Sequence, residues 1–181
     1  MSIEPYNTYI IVNAKSGTAL DLSGTDGYTV SGWERHGGDN QRWYLDKYED
    51  TNQWTFRNIY NDKYLGLADS SSFMDDVPVQ GVDYPVPWDI FPDEQDYSAH
   101  RILVPGTPFN VDLSNFGDFN NGTLVAIWGQ WEGQNQTWRF EQDRLGPTQK
   151  FDPGSESSVV IVLSSGVGAL VHHIRGDIVF D

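Results

Sequence analysis

Residues 33–43, WERHGGDNQRW, recur at residues 128–138 as WGQWEGQNQTW. The two eleven-residue phrases align without a gap: both begin and end in tryptophan, both have glycine at the sixth place, and both have Asn-Gln at the eighth and ninth. Self-similarity of this kind is typical of an architecture built from repeated units. The phrase therefore directs attention to the sequence around each copy.

That surrounding sequence contains three repeats with a period of about 45 residues. Each repeat has a short apolar strand, a turn, a second strand, a loop and a further strand segment at a tryptophan. The repeats start at Tyr9, Trp54 and His100, reach Asp21, Gly66 and Asp112 twelve residues later, and close on Trp43, Trp88 and Trp138. The third repeat is four residues longer, which we assign to the loop NFGDFNNG at 115–122.

This pattern predicts an all-β fold, a β-trefoil with pseudo-threefold symmetry. The chain shows no sustained 3.6-residue apolar period, and a closed barrel hides the sheet edges that an all-β domain must protect. A propeller is the main rival, but three blades are too few for one. The closing tryptophans are predicted to lie in the core. We expect the trefoil domain to cover residues 1–142, with a linker and C-terminal extension at 143–181.

Repeats one and three also share a polar and aromatic set that repeat two lacks. In repeat two Gly66 replaces the aspartate, and counting back from Trp88 puts Val86, Pro85 and Pro78 at the Gln, Asn and first Trp. A set that is lost as a unit while the scaffold persists indicates a binding site. The predicted site residues are Asp21, Trp33, His36, Asn40 and Gln41 in repeat one, and Asp112, Trp128, Trp131, Asn135 and Gln136 in repeat three.

This set has the chemistry of a sugar site. A carboxylate accepts strong hydrogen bonds from two neighbouring hydroxyls, Asn and Gln both donate and accept, and a flat ring covers the C–H face of a pyranose. An axial hydroxyl, as in galactose, leaves that face broad. The alternative is that the aspartates bond to local backbone in turns and that Asn-Gln caps a loop.

The three repeats with Asn-Gln-x-Trp resemble the ricin B-like, or R-type, β-trefoil lectins, and most of all small fungal lectins without a signal peptide. The stretches that carry the resemblance are GTALDLSG (17–24), HGGDNQRW (36–43), VPGTPFNVDLSN (104–115) and WGQWEGQNQTWRFEQ (128–142). It implies galactose or N-acetylgalactosamine as ligand and assigns the Asp, an aromatic ring and the Asn-Gln pair to each site. Either Trp33 and Trp128 or His36 and Trp131 supply the stacking ring.

The composition and net charge of the chain disfavour several classes of binding partner. A net charge of −15 disfavours nucleic acid and anionic membranes, and the chain has no cysteine for disulfides or thiolate chemistry. We expect no cofactor and no metal. The N-terminus shows no signal peptide, which favours a cytoplasmic protein that meets glycans of other organisms, in defence or storage.

Two other functions were weighed. A β-trefoil protease inhibitor would act through a protruding loop, and residues 69–87 are long enough to form one. An enzyme would need a catalytic domain, for which residues 143–181 are too few, and no nucleophile elbow occurs in the chain. The apolar part of this extension has three open roles: extra strands, docking on the barrel, or association into a homodimer.

Overall fold

The computed structural model describes residues 3–69, 71 and 73–143. These residues form the expected β-trefoil, with twelve strands whose pairings are all antiparallel. The strands are Asn7–Asn13 (β1), Ala19–Leu22 (β2), Val30–Trp33 (β3), Arg42–Lys47 (β4), Trp54–Asn58 (β5), Tyr64–Leu67 (β6), Val77–Val82 (β7), Asp89–Pro92 (β8), His100–Leu103 (β9), Phe109–Leu113 (β10), Thr123–Gly129 (β11) and Trp138–Gln142 (β12).

Six strands close into a barrel. β1 pairs with both β4 and β12, β4 pairs with β5, and β9 pairs with both β8 and β12. The ring is completed where Trp54 and Trp88 exchange main-chain hydrogen bonds of 2.8 and 2.9 Å, which join β5 to the segment leading into β8. Closure of this kind leaves no unpaired barrel edge.

The other six strands form three hairpins, β2–β3, β6–β7 and β10–β11, one from each repeat. β11 contacts both β3 and β7, and a bridge between Thr29 and Gln80 links the first hairpin to the second. The three hairpins therefore form one connected layer, in which each repeat lies against the other two.

The three closing tryptophans lie in the core, as predicted. Trp43, Trp88 and Trp138 are 0, 1 and 0% exposed. Each indole N–H donates a 2.9 Å hydrogen bond to a main-chain oxygen of the second strand of its own repeat: Leu20, Leu65 and Val111 respectively. The bond satisfies the polar edge of a large buried ring, so the same residue serves the same role three times.

Residues 69–87 are not one long loop, so this expectation was wrong. β7 (Val77–Val82) crosses the middle of the segment and pairs with β6 and β11. The alternation of Val77, Val79 and Gly81 with more polar residues is the period-2 pattern of a half-buried strand.

No helix of the described ranges is long and apolar enough to span a bilayer. The extension after Asp143 lies outside the described residues.

Candidate functional site

Site one is built around the carboxylate of Asp21 on β2. A 3-10 helix, Asp39–Gln41, brings two side-chain amides to it. Asn40 Nδ2 lies 3.0 Å from each carboxylate oxygen, and Gln41 Nε2 lies 2.9 Å from Oδ2. Asp21 is only 4% exposed, and these bonds hold its carboxylate in one orientation.

Gln41 positions the loop above this carboxylate. Its side-chain oxygen accepts hydrogen bonds from the main-chain N–H groups of His36 (2.9 Å) and Gly37 (3.0 Å). Its Nε2 also donates to the main-chain oxygen of Glu34 at 2.9 Å. Gln41 is 0% exposed, and the partners of all these hydrogen bonds are protein groups. It therefore holds the loop in place from inside the protein and does not form part of the surface of the site.

Site three repeats this arrangement around Asp112 on β10. Asn135 Nδ2 and Gln136 Nε2 each lie 2.9 Å from one of the carboxylate oxygens, and both come from the 3-10 helix Gln134–Gln136. Gln136 again bonds the loop internally, from Nε2 to Gly129 O at 3.0 Å and from Trp131 N–H to Oε1 at 3.1 Å. The structure thus brings the predicted Asp, Asn and Gln side chains together in repeat one and again in repeat three.

One aromatic ring in each site lies directly at the carboxylate. His36 Nε2 is 3.3 Å from Asp21 Oδ2, and the side chain of Trp131 lies close enough to Asp112 to favour the ionised carboxylate. Trp33 and Trp128 lie at the ends of β3 and β11 and are about two-fifths exposed. The pair of rings next to the carboxylates is therefore His36 and Trp131.

Burial raises the pKa of both carboxyl groups. At Asp21 the loss of hydration is partly offset by the hydrogen bonds and charge of Gln41, His36 and Asn40, and the pKa remains above the ordinary value of 3.8. At Asp112 burial likewise exceeds the lowering effect of its hydrogen-bond donors, while the nearby charge of Asp75 adds to the increase. Each anion is therefore incompletely satisfied by the protein, and further hydrogen-bond donors would stabilise it.

A glycine in each loop allows the ring and the amide to approach each other. A β-carbon at Gly38 would lie 2.9 Å from both the His36 ring and Asn40 Oδ1. At Gly133 it would lie 2.2 Å from Trp131 Cζ2 and 2.4 Å from Asn135 Oδ1. Contacts this short require a shift of the neighbouring atoms, which explains why glycine occupies the sixth place of both phrases.

The strand register corrects the prediction for repeat two. Trp33 pairs with Ala19 and Trp128 with Asn110, in both cases two residues before the aspartate. The residue that pairs two positions before Gly66 is Val82. Pro78, which was placed at the first Trp by counting from Trp88, is therefore not the equivalent residue.

Two length changes that cancel each other caused this error. The interval from Gly66 to Val82 is sixteen residues, whereas the interval from Asp21 to Trp33 is twelve. The interval from Val82 to Trp88 is six residues, whereas that from Trp33 to Trp43 is ten. The four residues lost after β7 are those that carry the amide loop in the other repeats. In their absence Val82 and Val86 fill the space, and a β-carbon at Gly66 would lie 2.6 Å from Val82 Cγ2.

Neighbouring repeats supply residues that sequence reasoning missed. Asn58 Nδ2 donates to the main-chain oxygen of Asn40 at 3.1 Å, and Asn13 Nδ2 donates to that of Asn135 at 2.9 Å. Both are 0% exposed. Each lies four residues after the start of its repeat, where repeat three has Val104. This shared offset is the signal that could have identified them.

The loops before β7 and β11 also reach the next site. Asn121 Oδ1 accepts a 2.6 Å hydrogen bond from the main-chain N–H of Glu34, which follows Trp33. Asp75 Oδ1 accepts the equivalent bond from Gly129, which follows Trp128, at 2.7 Å. Site one therefore depends on all three repeats, and site three is completed by repeats one and two.

The two sites differ in how far they are covered. Asn40 is half-buried, whereas Asn135 is 1% exposed because the turn Ser114–Gly117 covers it: a β-carbon at Gly117 would lie 2.9 Å from Asn135 Cβ. Phe116 in this turn has a left-handed φ of 57° and packs edge-on against Trp131, with 5.9 Å between ring centroids. Asn135 Oδ1 has no hydrogen-bond partner in the described part of the chain. Site three is therefore the more enclosed.

The described residues hold no cluster of metal ligands. Within residues 3–69, 71 and 73–143, no three or more His, Cys, Asp or Glu side chains are grouped as they would be around a metal ion. Each site instead combines one carboxylate, which accepts hydrogen bonds, with side-chain amides and a nitrogen-containing ring. This chemistry suits an uncharged ligand rich in hydroxyl groups better than a cation.

Comparison with known proteins agrees with this geometry. Residues 2–82 match the family model described as a ricin-type β-trefoil lectin domain-like family. A Macrolepiota procera ricin B-like lectin, solved in complex with lactose, is 36% identical with a TM-score of 0.74, and the match covers 79% of this chain and 100% of that one. A search of the curated proteins found no match.

Two further solved structures support the assignment. The Rhizoctonia solani agglutinin is 31% identical with a TM-score of 0.70, over 79% of this chain and 99% of that chain. The designed threefold-symmetric protein ThreeFoil has a TM-score of 0.63 at 24% identity, over 74% and 97% of the two chains, and supports the fold alone. Together with the paired carboxylate–amide sites, these similarities show that the chain belongs to the ricin B-like β-trefoil lectins, a family of carbohydrate-binding proteins.

Proposed function

We propose that this protein is a non-enzymatic lectin that binds galactose or N-acetylgalactosamine residues of glycans through sites one and three. The observation that carries the proposal is the duplicated carboxylate with its amide and ring donors, which repeat two lacks as a unit. The lactose complex of the Macrolepiota procera lectin supports a galactoside as the ligand.

Each site offers the sugar three kinds of contact. The buried carboxylate of Asp21 or Asp112 accepts hydrogen bonds from two neighbouring hydroxyls, which restore part of the hydration that burial removed. The adjoining ring, His36 or Trp131, covers an apolar face of the pyranose. The Asn40 amide at site one remains partly exposed for a further hydroxyl.

The sites are shallow, and single-site affinity should be modest. We expect a Kd on the order of micromolar to millimolar, or about −4 to −8 kcal/mol. Two sites on one chain would bind a multivalent glycan surface more tightly than either site alone, provided that both engage at once. Binding to surfaces with dense glycans is therefore the setting in which this protein would function.

Calorimetric titration with N-acetylgalactosamine and with lactose tests the proposal. Wild type should bind in two sites, and the Asp21→Ala/Asp112→Ala variant should bind in neither while remaining folded by circular dichroism. The charge-matched control is Asp50→Ala/Glu94→Ala, because both side chains are exposed and neither forms a hydrogen bond or ion pair with the described residues. No heat with wild type for either sugar would refute galactoside binding, and retained binding by the double variant would refute the assignment of the sites.

A further inference from the structure

A groove of about 750 Å³ lies beside site one. One wall is formed by Ser16 and Thr18, in the turn before β2, and another by Glu34, directly after Trp33. The segment 115–122, the loop that lengthens repeat three, supplies Phe119, Asn120 and Asn121. The groove is therefore bordered by repeats one and three.

The groove begins where the β2–β3 hairpin of site one ends. Trp33 pairs with Ala19 in the β2–β3 hairpin, so Thr18 and Glu34 are the next residues beyond this pair. Three residues of extended chain separate Asp21 from Thr18, a span of about 10 Å. A sugar bound at the carboxylate and a further sugar in the groove are thus within reach of one short oligosaccharide.

The groove carries the side chains that pyranose rings favour. Phe119 is 73% exposed, and no aromatic partner for its ring occurs in the described residues. The side-chain oxygen of Asn120 and the side-chain nitrogen of Asn121 form no hydrogen bond within these ranges. An exposed ring beside unengaged amides and hydroxyls offers a stacking face together with donors and acceptors.

The charge of the groove favours a neutral ligand. The guanidinium of Arg35 is paired with the carboxylate of Glu141, and the carboxylate of Glu34 is exposed. An acidic sugar would therefore meet a compensated cation and an uncompensated anion, whereas hydroxyl groups can donate to the Glu34 carboxylate.

The segment that bears Phe119 is anchored to the end of β3. Asn121 Oδ1 accepts a 2.6 Å hydrogen bond from Glu34 N–H, and Gly122 N–H donates to Gly32 O at 3.0 Å. A β-carbon at Gly122 would lie 3.7 Å from Trp33 Cζ3. The segment is therefore held against the end of site one before any ligand arrives, which lowers the ordering cost of binding.

We propose that site one extends into this groove and binds the next residues of a neutral oligosaccharide, with Phe119 as their aromatic contact. Site one would then bind several residues of an extended glycan. Site three, which is covered by the turn at Phe116, would bind a single terminal residue. This inference rests on the proposed function, because it assigns the ligand class of the same site.

The test compares galactose with the galactose-terminated neutral tetrasaccharide lacto-N-neotetraose by calorimetry. For wild type we expect the tetrasaccharide to bind about tenfold more tightly than galactose at one of the two sites, the scale of one aromatic contact. In Phe119→Ala this ratio should fall close to one. Tyr97→Ala is the matched control, since it removes an equally exposed ring that lines neither the groove nor either site.

The outcomes separate the two proposals. If wild type binds galactose but shows no preference for the tetrasaccharide, or if Phe119→Ala keeps the preference, the groove inference is overturned while the lectin function stands. An equal loss of preference in Tyr97→Ala would also overturn it, because the effect would then not be specific to the groove. If wild type binds neither sugar, the proposed function fails together with the inference.

Discussion

The side-chain amide of Asn58 donates a hydrogen bond to the main-chain oxygen of Asn40 at 3.1 Å, so a residue of the second repeat holds the binding loop of the first. Asn13 holds Asn135 in the same way at 2.9 Å, from the first repeat to the third. The amide that faces each carboxylate is therefore fixed from outside its own repeat, which gives a specific route to weaken one site at a time.

Asn58→Ala should weaken sugar binding at site one and leave site three unchanged, and Asn13→Ala should do the reverse. Each substitution leaves a buried main-chain oxygen without its donor, at a cost of about 1–3 kcal/mol in the free energy of unfolding. Calorimetry and urea unfolding measure the two effects. Loss of both sites in either variant would show that these amides support the fold as a whole, not one loop.

Gly66→Asp should not create a third site and should destabilise the protein. Its β-carbon would lie 2.6 Å from Val82 Cγ2 and 3.2 Å from Val86 Cγ2, and the amide loop is absent. Overpacking of this kind costs about 1–3 kcal/mol, and burial of an unpaired carboxylate adds to it. Thermal unfolding and binding stoichiometry check the prediction. A gain in stoichiometry would contradict our account of repeat two.

Gly133→Ala should reduce binding at site three more than Gly38→Ala reduces it at site one. The added carbon would lie 2.2 Å from the Trp131 ring, against 2.9 Å from the His36 ring. The ring must shift relative to the carboxylate in both variants. Gly24→Ala is the control, because nothing lies within 4 Å of its β-carbon position. Equal affinity in all three variants would show that ring placement does not limit binding.

Sugar affinity should fall on acidification at a higher pH than an ordinary aspartate would give. Burial raises the pKa of Asp21 and Asp112 above 3.8, and a protonated carboxyl loses an acceptor for the ligand hydroxyls. Titrations across the acidic range, with circular dichroism to confirm folding, test this. An affinity that stays constant down to pH 3.8 would contradict the raised pKa of these carboxyl groups.

The same pKa shifts have the opposite sign for folding. Because the folded-state pKa exceeds the unfolded one, the contribution of each group to stability is present below the unfolded pKa and is lost as pH rises through the folded pKa. At neutral pH the ionised carboxylates therefore oppose folding. We expect Asp112→Ala to change the free energy of unfolding by only about 1 kcal/mol, since lost hydrogen bonds and relieved burial offset each other.

The repeat scaffold could be predicted because its determinants recur in sequence. The closing tryptophans keep the same chemical role three times, and no other residue type offers so large a ring with one donor for a main-chain oxygen. The asparagines of repeats one and three could be placed because each phrase is short, continuous and free of insertions, and the aspartates because both lie twelve residues after the start of their repeat.

The rest depended on register and on contacts between repeats. Equal spacing from Gly66 to Trp88 and from Asp21 to Trp43 concealed two opposite length changes, and only strand pairing distinguishes Val82 from Pro78. The roles of Gln41 and Gln136 could not be predicted from residue type, because a side-chain amide can hydrogen-bond to a ligand or to a loop. The burial of both side chains shows that they bond to the loop.

The dependence of each site on distant parts of the chain bears on its synthesis. Site one needs Asn121 and site three needs Asn135, so a chain leaving the ribosome completes neither until most of the third repeat has emerged. Asn13 must also meet the 3-10 helix Gln134–Gln136, which requires the first and last strands to join. A product truncated within the third repeat would therefore have no complete site. Sugar affinity would thus indicate that the barrel has closed.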